Sequence, residues 1–253
     1  ARSGQKLYHA GLLGAEGARL AELLSDSGVD LRYLKHTQIP QGHAIIQVEP
    51  SGQNCIFTYG GSNMAVTPED IDEVFSHFDA GDYLLMQNEM SNLTYMLRAA
   101  VQRGLRVVLN VSPISEEILR VDLSGVDWLV VNEIECARMA GCEDPQEGYE
   151  TLKQRYPELG ILLTLGSAGS VSWKDGVELR QCAYPVKAVD TTGAGDTFMG
   201  YFVGCLAQGM DRKAAMQHAS MASALSVTRP GAAASIPMMN EVRAALRQRS
   251  AAD

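Results

Sequence analysis

Short apolar runs alternate with longer amphipathic stretches over most of the sequence, and this alternation restricts the fold more than any other feature. Asp82–Gln87, Leu105–Asn110, Asp127–Val131 and Gly160–Leu165 are apolar with little polar alternation, which is typical of strands buried on both faces. We expect a helix, such as one over Asn92–Gln102, to separate each strand from the next. Strands connected in this way form a Rossmann-like parallel sheet with helices on both faces. The predicted fold class is therefore α/β.

Two stretches interrupt this pattern. His43–Val48 and Asn54–Tyr59 are predicted to be paired strands around the turn-rich segment Glu49–Gly52. Both strands carry apolar residues on both faces, which an isolated hairpin cannot bury, so the hairpin must cover a pocket or a partner subunit. Ser170–Leu179 is predicted to be a second hairpin, because Asp175-Gly176 is a strong signal for a tight turn.

The sequence shows no boundary between domains. No internal repeat, low-complexity segment or obvious linker divides it, so we predict a single domain over residues 1–253 with a small β-hairpin at about residues 42–60. Lys6–Gly11 is predicted to be a strand and Glu16–Ser27 a helix. The last part of the chain is predicted to be almost entirely helical, over Gly193–Gln208, Asp211–Val227 and Pro237–Arg247.

Charge and cysteine content exclude several classes of function. Lys and Arg total 21 and Asp and Glu total 30, which gives a net charge of −9. Such a balance argues against a broad basic surface for nucleic acid or anionic lipid. No apolar run approaches the ~20 residues that span a bilayer. None of the five cysteines forms a Cys-x-x-Cys pair, and we predict a cytoplasmic location. No Gly-x-Gly-x-x-Gly follows an early strand, which argues against a dinucleotide-binding dehydrogenase.

The most informative stretch is Val189–Phe198, where three small residues, Gly193, Ala194 and Gly195, open a predicted helix. Backbone N–H groups at a helix N-terminus are unpaired, and small side chains let an anion approach them closely. Asp196 then lies in the first helical turn, where its carboxylate could accept a proton from a hydroxyl that attacks a phosphate. The pattern alone is equally compatible with ordinary helix capping.

The full string Asp-Thr-Thr-Gly-Ala-Gly-Asp, residues 190–196, resembles the C-terminal motif of the ribokinase-like (PfkB) carbohydrate kinases, Asp-Thr-x-Gly-Ala-Gly-Asp. The resemblance implies a ribokinase-like fold with a small β lid and ATP-dependent phosphorylation of a sugar's primary hydroxyl. It also implies that Asp196 is the general base and contacts the sugar. Gly193, Ala194 and Gly195 would then stabilise the charge on the transferred phosphoryl group.

A second segment, Leu84–Glu89, resembles the ribokinase segment whose final Glu binds the sugar, which implies a sugar contact for Glu89. This likeness makes D-ribose the leading substrate. Nucleosides, fructose and 2-keto-3-deoxygluconate are used by other branches of the family and stay open. Without the resemblance, Glu89 would be interpreted as a solvated carboxylate just after a strand.

The segment Asn132–Glu135 resembles the family's Asn-x-x-Glu motif. Residues three apart share one face of a helix, so Asn132 and Glu135 could together order the water molecules of Mg²⁺, an ion that keeps several waters. The resemblance also implies that Asn132 contacts ATP. The alternative is that Asn132 only caps a helix predicted over Glu133–Met139.

Two further loops resemble family motifs. Thr164–Gly169 resembles the Thr-Leu-Gly-x-x-Gly loop, which contacts the nucleotide, and Val227–Ala232 resembles a loop that helps to bind potassium. The first implies ATP contacts at Thr164, Gly166, Ser167 and Gly169. The resemblance elsewhere in the chain adds Gly195 and Ser220, although ribokinases often carry Asn or His where this chain has Ser220. The second, with the Asp-Thr stretch, implies a monovalent cation, most simply K⁺, held mainly by carbonyl oxygens at Asp190, Thr192, Ser226, Arg229, Gly231 and Ser235.

The sequence departs from the family pattern at its start. Family members begin with a strand carrying sugar-binding Asn and Asp, followed by a Gly-Gly-x-x-x-Asn motif, and neither is present in these residues. Lys6–Gly14 resembles the strand that comes next, so we expect the first sheet strand and half of the sugar pocket to be missing. A non-catalytic homologue that binds sugar or nucleotide is the alternative function. The hairpin at 42–60 is expected to be the lid over the sugar and to pair with a second copy in a homodimer.

Overall fold

The structure is a computed structural model that describes residues 1–48 and 54–250, so the predicted turn Glu49–Gly52 lies outside the described residues. The strands are β1 (Tyr8–Leu13), β2 (Asp30–His36), β3 (His43–Val48), β4 (Asn54–Tyr59), β5 (Tyr83–Gln87), β6 (Arg106–Asn110), β7 (Trp128–Asn132), β8 (Gly160–Thr164), β9 (Ser170–Lys174) and β10 (Val177–Gln181). The helices are α1 (Ala18–Asp26), α2 (Pro68–Phe75), α3 (Leu93–Arg103), α4 (Glu133–Ala140), α5 (Pro145–Arg155), α6 (Ala194–Ala207), α7 (Arg212–Ser226) and α8 (Met239–Ser250).

The described residues divide into two compact units. The larger unit contains residues 1–5, 83–86 and the described chain from residue 106 onward. The smaller unit contains the described residues of 6–82 and 87–105. A single domain over residues 1–253 stays a prediction.

The main sheet has six strands in the order β10-β9-β8-β7-β6-β5. Strands β6, β7 and β8 are parallel, whereas β9 and β10 are antiparallel to their neighbours, so the sheet is mixed. Asp175 and Gly176 join β9 to β10 with positive φ angles of 52° and 76°. Positive φ at both central residues is the requirement of a type I′ hairpin turn, and the hairpin predicted from Asp175-Gly176 is confirmed.

Helices cover the main sheet because its central strands are apolar on both faces. Trp128, Val130 and Leu162 pack in one cluster with α6, α7 and α8, where Phe202 meets Trp128 edge to face at 5.0 Å. Side chains alternate between the faces of a strand, so Leu129, which is fully buried, faces the opposite side. Strands β7 and β8 contact α4. The α/β fold predicted from the apolar runs is therefore confirmed.

The expectation that a helix separates every pair of sheet strands is wrong for β6 and β7. Only a short 3₁₀ turn, Ile118–Arg120, lies between them. Pro113 restricts the residue before it to extended backbone, and Gly125 adopts a φ of 83° that interrupts a helix. Buried side chains such as Ile118 and Leu123 anchor this connection instead.

The smaller unit contains a parallel pair, β1 and β2, the antiparallel hairpin of β3 and β4, and three helices. Helix α2 starts with a reciprocal capping box between Thr67 and Asp70. Buried apolar side chains of α2 and α3 form part of the core of this unit: Ile71, Phe75, Leu93, Met96, Leu97 and Ala100. Within the part of the chain that the structure describes, no helix is long and apolar enough to cross a membrane.

One face of the β3–β4 hairpin exposes a row of apolar side chains. Ile45 lies opposite Phe57, and His43 lies opposite Tyr59. Ile45 and Phe57 are 58% and 57% exposed, and Tyr59 is 49% exposed. The strands that the sequence predicted are present, and an exposed apolar face of this kind is typical of a surface that binds a partner.

Candidate functional site

The loop before α6 has a backbone that only glycine accommodates easily. Gly193 is the N-cap of α6 with a φ of 72°, in the left-handed region that disfavours side chains. A Cβ at this position would lie 3.3 Å from the Cβ of Ala232. Conformation and space together explain why the sequence has a glycine immediately before the helix.

The backbone amides at the start of α6 are not equivalent. The Ala194 N–H donates to the Thr191 carbonyl at 3.2 Å, and the Thr197 N–H closes the first helical turn on the Gly193 carbonyl at 2.9 Å. The N–H groups of Gly195 and Asp196 donate no hydrogen bond within the described residues. A Cβ on Gly195 would meet nothing within 4 Å, so the space around this residue is open.

This terminus can bind an anion and place a base beside it. Two free N–H groups and the positive end of the helix dipole favour a phosphate there. The Asp196 side chain is exposed and belongs to the same first turn. Of the three amides that the sequence pattern indicates, those of Gly193 and Gly195 have no acceptor among the described residues, whereas the Ala194 N–H is bonded to Thr191; the free N–H of Asp196 adds a further donor.

The Ala194 carbonyl in this turn accepts a side-chain hydrogen bond that the sequence does not predict. The Ser223 hydroxyl, from α7, donates a hydrogen bond to the Ala194 carbonyl at 3.1 Å. Serine in a helix gives no signal of such a contact, because its hydroxyl ordinarily bonds to its own helix.

The Asp-Thr stretch is joined to the loop after α7. The Asp190 carboxylate accepts the N–H of Thr192 at 2.9 Å and the N–H of Gly231 at 2.8 Å. These backbone donors and the Thr192 hydroxyl hold the pKa of Asp190 below its ordinary value, with the Thr192 N–H as the largest cause. The Val227 carbonyl also accepts the N–H groups of Val189 and Asp190. Asp190, Thr192 and Gly231, three of the predicted cation-binding positions, therefore lie together.

The other predicted cation-binding positions are fixed by local contacts. Arg229 pairs with Glu241 at the start of α8, and this contact is the main cause that lowers the pKa of Glu241. Ser226 and Ser235 are both buried. Their hydroxyls donate to the carbonyls of Ser223 and Ala232, each at 2.8 Å. Binding of a cation by the six positions stays a prediction.

Asn132 and Glu135 form a reciprocal capping box at the start of α4. The Glu135 N–H donates to Asn132 Oδ1 and the Asn132 N–H donates to Glu135 Oε2, each at 2.9 Å. Oε1 of Glu135 makes no hydrogen bond within the described residues. One carboxylate and one amide oxygen on a single turn suit Mg²⁺ bound through its waters. The capping role is observed, and the metal role is compatible with it.

The predicted nucleotide loop, Thr164–Gly169, begins at the end of the sheet where Asn132 lies. Thr164, at the end of β8, lies opposite Asn132 at the end of β7. Residues Gly166–Ala168 form a 3₁₀ turn, which contains Ser167. Gly169 has a φ of 106°, and a Cβ there would lie 2.1 Å from the Gln181 carbonyl oxygen. Carboxyl ends of parallel strands are where open α/β sheets bind ligands.

Ser220 and Glu89 differ in burial and in the unit to which they belong. The buried Ser220 donates its hydroxyl to the Cys182 carbonyl at 3.3 Å, so it is joined to the residue that follows β10. Glu89 is exposed, follows β5 and belongs to the smaller unit, whereas Asp196 belongs to the larger one. A shared sugar contact of Glu89 and Asp196 stays a prediction.

No group of three or more His, Cys, Asp or Glu side chains that could hold a metal occurs among the described residues.

Comparison with known families identifies the fold and its chemistry. Residues 1–239 match the model of the pfkB family of carbohydrate kinases. This chain belongs to that family. Its members are ATP-dependent carbohydrate kinases, which agrees with an anion-binding helix start that carries an acidic residue. The family resemblance identified from residues 190–196 is thereby confirmed.

Individual relatives are ribokinases. The chain is 34% identical to a ribokinase of Staphylococcus aureus over 224 residues, which are 85% of this chain and 73% of that protein. It is 34% identical to a ribokinase of Arabidopsis thaliana over 246 residues, 91% of this chain and 64% of the relative. The structure of Arabidopsis thaliana ribokinase complexed with ribose and ATP superimposes with a TM-score of 0.81 at 29% identity, and the match covers 96% of this chain and 82% of that one.

Proposed function

We propose that this pfkB chain transfers the γ-phosphoryl group of ATP to the primary hydroxyl of D-ribose, giving ribose 5-phosphate. The observation that carries the proposal is the start of α6, where the free N–H groups of Gly195 and Asp196 accompany the exposed Asp196 carboxylate. The ribokinases similar to this chain, and the relative described as complexed with ribose and ATP, support D-ribose over the other sugars.

The chemistry assigned to the site is in-line phosphoryl transfer. The hydroxyl oxygen of the sugar attacks the γ-phosphorus while Asp196 accepts the hydroxyl proton, and the bond to the β-phosphate oxygen breaks to release ADP. The N–H groups at the start of α6 donate to the phosphoryl oxygens as negative charge grows on them. Gly193 and Ala194 set the backbone conformation that aims these donors.

Other residues would bind the nucleotide and the ions. Thr164, Gly166, Ser167, Gly169 and Ser220 are proposed contacts for ATP. Asn132 and Glu135 would hold Mg²⁺ through its waters, and this ion supplies neutralisation of phosphate charge when it is bound. The proposed K⁺ positions are Asp190, Thr192, Ser226, Arg229, Gly231 and Ser235.

The β3–β4 hairpin is proposed to act as the lid over the sugar, together with a sugar contact from Glu89. A lid would exclude water that otherwise hydrolyses ATP. The exposed pair Ile45 and Phe57 supports a second role, pairing with the same face of another copy in a homodimer.

The test is ADP release from Mg-ATP with D-ribose, in the presence and absence of K⁺. Parallel reactions contain 2-deoxyribose, fructose, a nucleoside or 2-keto-3-deoxygluconate. We expect D-ribose to give the highest kcat/KM. Preference for another of these sugars would contradict D-ribose while supporting a kinase. ATP binding without turnover of any sugar would contradict the kinase and support a non-catalytic binding protein.

Asp196→Asn tests the base. This variant keeps the shape of the side chain but cannot take the proton, so we expect turnover to fall by about 10²–10⁴-fold while the Kd for ATP changes little. Asp211→Asn is the matched control, because Asp211 caps α7 through the Ala214 N–H and Asn caps equally well. Wild-type turnover in Asp196→Asn would eliminate Asp196 as the base.

A further inference from the structure

The hydroxyl of Ser223 acts on the peptide group that presents the Gly195 amide. A peptide group joins the carbonyl of one residue to the N–H of the next, so the Ala194 carbonyl and the Gly195 N–H belong to one planar, conjugated unit. Ser223 donates to the oxygen of this unit at 3.1 Å. The Gly195 N–H, at the other end of the unit, has no acceptor among the described residues.

We propose that Ser223 is a positioning residue that orients and polarises the Gly195 amide toward the transferred phosphoryl group. The inference rests on the proposed kinase function. A hydrogen bond accepted by the carbonyl draws electron density from the peptide nitrogen, which makes the N–H at the other end a stronger donor. In α6 the same carbonyl is also the helical acceptor for the Phe198 N–H, so the Ser223 hydroxyl adds a second donor to it.

The direction of the Ser223 hydroxyl distinguishes it from its neighbours. Serine hydroxyls in helices ordinarily bond to a carbonyl three or four residues earlier in the same helix, and Ser226 does so on the Ser223 carbonyl at 2.8 Å. Ser223 instead bonds across to α6. Its main chain is held as well, because the Ser223 carbonyl also accepts the Val227 N–H at 3.2 Å. The donor therefore comes from a fixed position in α7.

A polarised Gly195 N–H should stabilise the transition state more than it stabilises bound ATP. The phosphoryl oxygens gain charge as the reaction proceeds, so a more polarised donor gains most at that point. We therefore expect the hydroxyl of Ser223 to affect kcat more than the KM for ATP.

The experiment compares Ser223→Ala, which removes the hydroxyl, with Ser223→Thr, which retains it. Ser76→Ala is the matched control: the Ser76 hydroxyl also donates to a backbone carbonyl, that of Glu73 at 2.6 Å, in the smaller unit. Steady-state kinetics give kcat and KM for ATP. The ¹⁵N shift of the Gly195 amide, measured without substrate, reports the polarisation directly.

Loss of one neutral hydrogen bond predicts that Ser223→Ala lowers kcat by about threefold to tenfold, with the KM for ATP within about twofold of wild type. The Gly195 ¹⁵N resonance should move upfield, and Ser223→Thr and Ser76→Ala should match wild type in both measurements. An unchanged kcat, a rise in KM alone, or an unshifted Gly195 resonance would overturn the inference. If the wild-type chain phosphorylates no sugar, the proposed function fails, and the Gly195 shift alone then decides whether Ser223 polarises this amide.

Discussion

The Gly231 N–H donates a hydrogen bond of 2.8 Å to the Asp190 carboxylate, which joins two loops whose residues are 41 positions apart in the chain. The same carboxylate accepts the Thr192 N–H. One aspartate side chain therefore sets the relative position of the Asp-Thr stretch before α6 and the loop after α7. Both loops carry proposed cation-binding residues.

Asp190→Asn should destabilise the protein at neutral pH, because an amide offers one acceptor oxygen instead of two and has no charge. The pKa of Asp190 is lowered in the folded protein. Its contribution to stability is therefore present above the ordinary carboxyl pKa of ~3.9 and is lost as the pH falls through the lowered value. Urea unfolding across pH 3–7 measures this. A difference between wild type and variant that stays constant on acidification would contradict it.

Glu135→Gln separates capping from metal binding. Glutamine at this position also accepts the Asn132 N–H in a capping box, so we expect thermal stability to stay close to wild type. The lost charge should raise the Mg²⁺ concentration needed for half-maximal activity. Glu135→Ala, the control, should lower stability as well, by about 1 kcal/mol. An unchanged Mg²⁺ dependence in Glu135→Gln would restrict Glu135 to its structural role.

Phe202→Ala should be strongly destabilising. Phe202 is fully buried in α6 and packs edge to face on Trp128. Removing a buried aromatic ring from a packed core costs about 3–5 kcal/mol. Leu23→Ala in α1 is the control, since Leu23 is 41% exposed and its truncation should change the free energy of unfolding by about 0.5 kcal/mol or less. Urea unfolding followed by circular dichroism compares them, and equal losses would contradict this account of the core.

The cysteines should divide by reactivity. Burial raises the pKa of Cys136 to about 12 and that of Cys205 to about 11, so few thiolates form there at neutral pH. Cys182 is exposed. Mass spectrometry after brief iodoacetamide treatment at pH 7.5 should find Cys182 alkylated before Cys136 and Cys205. Early alkylation of Cys136 or Cys205 would show that the larger unit opens readily.

Ile45→Lys should disrupt the proposed homodimer. A charge opposite Phe57 on the exposed hairpin face opposes burial against a second copy. Light scattering coupled to size exclusion should then report a monomer where wild type is a dimer. Leu20→Lys, at an exposed leucine in α1, should leave the dimer intact. A monomeric wild type, or a dimer that survives Ile45→Lys, would contradict assembly through this face.

Much of the local structure follows from short stretches of sequence. The strands at 43–48 and 54–59 and the turn at Asp175-Gly176 are present as predicted, because alternation and turn residues act over a few positions. Helix α2 is absent from the sequence-based expectations, although Thr67, Pro68 and Asp70 form a recognisable signal for the start of a helix. The strand–helix alternation wrongly predicts a helix in the connection before β7, where Pro113 and Gly125 favour irregular backbone.

Sequence alone determined the α/β class, the glycine-rich start of α6 and the presence of Asp196 on its first turn, because these depend on neighbouring residues. Tertiary structure alone decided which distant residues meet this helix start and the loop before it. Ser223 reaches the Ala194 carbonyl from another helix, and Asp190 meets Gly231. These contacts depend on how α6, α7 and the loop after α7 pack, and packing between segments far apart in the chain leaves no periodic signal in the sequence.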